Sequence, residues 1–323
     1  MSNKEIYQKT LVFSLRRALW DIIAFAILGG ACALGYMIAE KSFNRGLVGL
    51  AIGGVGGLIA IAIILRFVGY TCKAGQIAMM TRAITEGSLP QDVYAEGKRT
   101  VKQRFLTVAA YFGVTGVIKG IFSQLGKGIA GIGKSIGGDA GETVGNVISS
   151  VIQVIVSYLS DCCLGWVFYR STVNAAKATC EGAVLFFRKW KTLAKNMGRV
   201  FGMGIASFAV IGGAFTGIFY LILSRFPEVF RMLSEEIVEA AQRAEKTIPS
   251  FMSDPVMLTV LCSLVIAAVL WSILHSVFVR PYVLVGVLRN YLESGMSDIP
   301  DESSFSELDK MSDKFKKLHQ DVA

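Results

Sequence analysis

The chain has 323 residues, of which 53% are hydrophobic and 18% charged, with a mean hydropathy of +0.53 and a net charge of +9. A soluble domain carries about 25% charged residues, so the balance is displaced toward proteins that use lipid as solvent. The positive charge needs no nucleic acid to explain it: it falls in blocks between apolar runs, as in cytoplasmic loops of membrane proteins.

Six segments, 18–39, 47–69, 105–126, 143–169, 200–223 and 255–279, are apolar enough over their length to be read as spans. A crossing takes about 20 such residues for a hydrocarbon core roughly 30 Å thick. The predicted fold is therefore all-α: a polytopic membrane bundle of six transmembrane helices in three hairpins, with cytoplasmic elbow helices. Residues 1–295 form the integral domain and 296–323 a polar cytoplasmic tail. The first apolar run has no small-residue cleavage pattern and reads as a retained span. Basic residues precede span one (Lys4, Lys9, Arg16, Arg17), fill 71–104 and fill 170–199, whereas 224–254 holds six acids against four bases. This bias places both termini in the cytoplasm, with the plasma membrane as the expected location.

In chain order, the first hairpin carries Asp21 in span one and Arg66 in span two, each about 5 Å inside the cytoplasmic edge by helical rise. They are positioned to pair across the hairpin, or Arg66 snorkels to the interface. Gly46, Gly49, Gly53, Gly54, Gly56 and Gly57 give span two small-xxx-small spacing, which lets helix backbones approach closely. That seam serves packing within the chain or a homo-oligomer through 46–57. The helical pattern then breaks at Gly87-Ser88-Leu89-Pro90.

Span three aligns Thr107, Tyr111, Thr115, Lys119 and Ser123 four residues apart. After it, Gly128 to Ser135 fits GxxxxGK[ST] and Gly126 to Gly131 fits GxGxxG. A phosphate loop needs a strand before it and a helix after it; here a span candidate precedes, and the loop is expected outside the cell. Span four draws Asn146, Ser149, Ser150, Gln153, Ser157, Ser160 and Asp161 down one helical face. This stripe lines a hydrated path or supplies polar packing between helices. The stretch 171–197 reads as a basic elbow helix in the interface. Pro227 opens an amphipathic stretch outside, with Val229, Leu233, Ile237, Ala241 and Ala244 at helical spacing. His275 ends span six, where a histidine suits a proton relay or simple packing; Asp161 with His275 is the favoured coupled pair. The tail is expected to be a short helix or disordered.

The six cysteines lack zinc-site spacing, and no nucleophile–base set is evident, so neither metal, cofactor nor enzymatic activity is expected. From Tyr169 onward, the basic aromatic stretch Asn174 to Trp190, Lys195-Asn196-Met197-Gly198-Arg199-Val200 and Phe278-Val279-Arg280-Pro281-Tyr282 together resemble the C-terminal part of the choline transporter-like family. The resemblance implies transport of a small organic cation such as choline.

The functional expectation is a transporter or channel for a small solute or ion, its path formed by Asn146, Ser150, Gln153, Ser157, Asp161 and Lys119. Asp161, His275, Asp21 and Arg66 are candidates for proton coupling or ion pairing, and Trp166, Phe168 or Tyr169 for cation–π faces. The alternative is a non-transporting scaffold that binds lipid or partners through its basic elbows and tail.

Overall fold

The computed structural model describes residues 1–43, 46–105, 110, 113–121, 123–124, 154, 157–243, 245, 247–310 and 312–321. They are mostly helical, with turns between the helices and no strands among them. The helices are α1 (Asn3–Phe43), α2 (Gly46–Thr85), α3 (Val93–Arg104), α4 (113–121), α5 (157–169), α6 (Ala175–Ser207), α7 (Gly213–Leu223), α8 (Pro227–Arg243), α9 (Ser250–Ser253), α10 (Pro255–Leu274), α11 (Arg280–Met296), α12 (Phe305–Asp309) and α13 (Asp313–Gln320). Among the described residues, four stretches are long and apolar enough to cross a membrane: α1, 48–85, 202–223 and 255–296. Of the six expected spans, 105–126 is described only at 105, 110, 113–121 and 123–124, and 143–169 only at 154 and 157–169.

The chain divides into two compact units, Met1–Gly198 with Pro281–Ala323, and Arg199–Arg280. The tail belongs to the first unit.

In the first unit, α1 and α2 form a hairpin whose apolar halves face outward. Leu19, Ile22, Phe25, Leu34, Met37, Ile52, Val55 and Ile59 are all exposed, as lipid contact requires. The two backbones meet along the glycines. A Cβ at Gly49 would lie 2.0 Å from the Gly35 carbonyl oxygen, and one at Gly53 2.2 Å from that of Ala31. Gly49 and Gly53 thereby serve close packing within the hairpin, whereas nothing lies within 4 Å of a Cβ at Gly56. At the turn, the Glu40 carboxylate accepts the Gly46 backbone N–H at 2.7 Å, placing an acid at the start of α2 as the helix dipole favours.

Beyond the apolar halves both helices run on into a protein core. Ile6, Thr10, Phe13 and Ser14 of α1 are buried, as is all of 74–81 in α2. Gln76 donates to the Thr10 carbonyl and the Ser14 hydroxyl at 3.3 and 3.1 Å. The Phe13 ring packs against Gly75 and Gly97, which joins α1, α2 and α3. Gly87, with φ +72°, ends the α2 stretch in a conformation open to glycine. Asp92 caps α3 by accepting from Ala95 N–H at 2.9 Å.

The tail is folded onto this core. Phe305, Leu308 and Phe315 are buried, the Ser312 hydroxyl donates to Gln124, and His319 meets Asp309 at 2.9 Å. Lys314 lies along Gly120. Gly120 and Gln124 thus lie against the tail, although span three was expected to carry residue 124 to the opposite side.

The second unit is a hairpin of 202–223 with α10, whose turn carries α8 and α9. Asp254 caps α10, accepting from Val256 N–H at 2.8 Å, with Pro255 in its first turn. Each arm contains one π-helical turn, Phe208–Gly212 and His275–Val279.

Candidate functional site

Helix α5 is the centre of the first unit. Every residue from Tyr158 to Phe168 is buried, so this stretch is enclosed on all faces rather than divided into a lipid side and a wet side. Asp161, 4% exposed, forms an ion pair with Lys73 of α2 at 2.6 Å. A buried carboxylate needs such a partner, since an unpaired charge in a low-dielectric interior is strongly disfavoured. Sequence reading missed this pair because Lys73 counted there only as a loop charge; His275, the partner expected for Asp161, belongs to the second unit. Ser157 is half-buried and Ser160 buried. Asn146, Ser150 and Gln153 lie outside the described residues. Lys119 is exposed on α4.

A second buried carboxylate is tied to the end of the same helix. Glu181 of α6, 2% exposed, accepts Trp166 Nε1–H at 3.0 Å and Arg170 Nε–H at 2.9 Å, while Arg170 Nη2–H reaches its other oxygen at 3.2 Å. The fork-to-carboxylate geometry is the strong form of an ion pair. Arg104 closes the end of α5 from α3, donating to the carbonyls of Arg170, Ser171 and Val173 at 3.2, 3.2 and 2.7 Å. The Arg170 carbonyl also accepts from Val173 N–H at 3.1 Å, and Arg104 adds a donor for the carbonyls that follow the helix C-terminus.

The aromatic residues expected as cation–π faces are committed to this core. Trp166 is fully buried against Gly295 and stacks on Tyr169 at 5.1 Å, and Phe168 meets Phe105 edge-on at 5.8 Å. Tyr291 donates to the Gly182 carbonyl. Burial, with the Asp309 and Glu181 carboxylates adding to it, pushes the Cys180 thiol up to about 12. It stays protonated at neutral pH and is no nucleophile. Among the described residues no three His, Cys, Asp or Glu side chains are placed to hold a metal ion.

Asp21 is half-buried on α1; the Arg66 side chain lies outside the described residues, and with it the expected Asp21–Arg66 pair. The loop with the GxxxxGK[ST] match is also outside them. The helix before it, α4, is not the strand a phosphate loop requires.

In the second unit, His275 sits in an aromatic cluster. It packs on Trp271 at 5.1 Å, Trp271 meets Phe208 edge-on at 4.9 Å, and Trp271 Nε1–H donates to the Ser207 hydroxyl at 3.1 Å. Both π turns border this cluster, and such turns are often found at functional sites. Sequence reading found His275 but missed Trp271 and Ser207, since π turns leave no signature in apolar periodicity.

Comparison with protein-family models, with curated proteins and with solved structures finds no match.

Proposed function

We propose that the chain is a membrane-anchored scaffold, a body of packed helices on the cytoplasmic side held to the bilayer by two hairpins. The observation that carries this reading is the enclosure of α5, with Asp161 dry and paired to Lys73: residues 158–168 have no open face to line a path. In this reading four crossings replace six. The basic stretches 71–104 and 170–199 then share one side with both termini, and the acidic segment 226–254 takes the other, which keeps the charge bias. The contact between the tail and Gln124 supports the same arrangement. Lys98, Arg99 and Lys102 are exposed on α3 and supply cationic surface for anionic headgroups or acidic partners.

Transport of a small solute is the second reading, and the His275 cluster is the observation that favours it. Ionisable residues inside spans commonly mark ion or solute paths, and Trp271 has an indole face that attracts organic cations. Purified protein in liposomes separates the two. The scaffold reading expects flux of monovalent cations and choline-like solutes equal to that of protein-free vesicles. Flux above that background, lost in Trp271→Ala, would move the assignment to transport.

A further inference from the structure

We infer that α8 lies in the membrane–water interface, with Phe226, Val229, Met232 and Leu233 inserted among the lipid chains where the second hairpin turns. The exposure of these four side chains is 56%, 56%, 60% and 37%, and by helical geometry they fall on one side of the helix. Phe230 and Ser234, on the adjoining arc, are buried instead and fix the helix to its own unit. Phe230 does so in a shallow apolar pocket with Tyr220, Pro227 and Thr259.

What covers the exposed face follows from the two ends of the helix. It begins three residues after 202–223, a stretch apolar enough to span, and the chain re-enters the next such stretch at Pro255. Exposed apolar side chains stand on both sides of the helix in the chain. Tyr220, Leu221 and Ile222 lead into Phe226 and Val229, and Val256, Met257 and Val260 take it up again in α10. A helix tied at both ends to spans is held at the depth of the headgroups. An amphipathic helix there buries its apolar face about 5–10 Å into the headgroup–acyl boundary.

The charges set the kind of surface. Glu228, Glu235, Glu236 and Glu239 outnumber Arg231 and Arg243 on α8, so attraction to anionic lipid does not hold it, and a zwitterionic headgroup layer suits it. Arg231 pairs with Glu228 at 2.6 Å and Arg243 with Glu239 at 2.9 Å, which leaves Glu235 and Glu236 to the headgroup water. Glu236 follows Met232 on the same side of the helix, so insertion is deepest in the N-terminal half. This inference rests on the second hairpin spanning the membrane and is independent of the choice between scaffold and transporter.

The test uses the full chain with Cys32→Ala and Cys262→Ala, because the four other native cysteines are buried. Single cysteines are introduced by Val229→Cys or Met232→Cys on the apolar side and by Glu228→Cys or Glu235→Cys on the polar side. Each is labelled with a small fluorophore in phosphatidylcholine vesicles. Quenching is read with a nitroxide on the upper acyl chain and with aqueous iodide. The expected result is lipid quenching and lost iodide quenching at 229 and 232, with the reverse at 228 and 235. Iodide quenching of all four sites would overturn the inference. Protection of 229 and 232 from both quenchers would also overturn it, and would assign the face to a second protein copy.

Discussion

Asp161 keeps its charge inside the protein because Lys73 reaches it, yet the two partners are not equivalent. The carboxylate side chain is 6% exposed and the lysine 31%, so only the lysine has a way to water. Removing the lysine takes a positive charge away from a buried carboxylate; removing the carboxylate lets the ammonium turn outward. Breaking a fully buried pair costs about 3–5 kcal/mol, and the exposure of Lys73 lowers this for one of the two deletions. We predict that Lys73→Met lowers thermal stability in detergent more than Asp161→Asn does. The double change Lys73→Met with Asp161→Leu should fall short of the sum of the single losses. Strictly additive losses would show that the pair does not couple. Asp161 was legible in the sequence as a charge within an apolar run. Lys73 was not legible as its partner, since only the fold brings α2 and α5 together.

At the scale of elements, the α1–α2 hairpin depends on contact distance. Gly53 has the Ala31 carbonyl where a Cβ would stand, whereas nothing lies within 4 Å of a Cβ at Gly56. Gly53→Val should force the helices apart and lower the melting temperature, and Gly56→Val should leave it unchanged. Equal effects at the two positions would mean that intrinsic helix propensity, not close approach, sets the response. The run lengths and small-residue spacing of this hairpin were readable because lipid imposes both. Residues 158–168, enclosed by protein, show the limit of the same signal. A helix buried on every face by protein is as apolar as one surrounded by lipid, so hydropathy alone does not separate them. The polar stripe ending at Asp161 has the same ambiguity, because a carboxylate on a wet path and one paired in a core occupy identical positions in a sequence. The tail misled in the opposite sense: its charged background hides Phe305, Leu308 and Phe315, three residues that bury it.

For the whole molecule, four crossings and six crossings disagree about one region. Both place 170–199 inside and 226–254 outside, so labelling there tests the shared orientation only. The segment 127–142 is inside with four crossings and outside with six. We predict that Ser135→Cys reacts with a membrane-impermeant thiol reagent only from the cytoplasmic face, the same face as Ser303→Cys and opposite to Glu235→Cys. Reaction of Ser135→Cys from the outer face would restore the two crossings. With the loop inside, its orientation no longer argues against nucleotide binding; the helix that precedes it still does.

The two long helices also have a mechanical meaning. α1 runs 41 residues and α2 runs 40, about 60 Å each at 1.5 Å per residue, and both pass from lipid-facing surface into the protein core without a break. A stiff beam clamped at one end in the core and held at the other by the bilayer cannot tilt at one end alone. Bilayers that differ in thickness change the tilt of the helices that cross them. In this protein such a change would rotate the clamped end, and the core packed around Phe13 and Gln76 would turn with it.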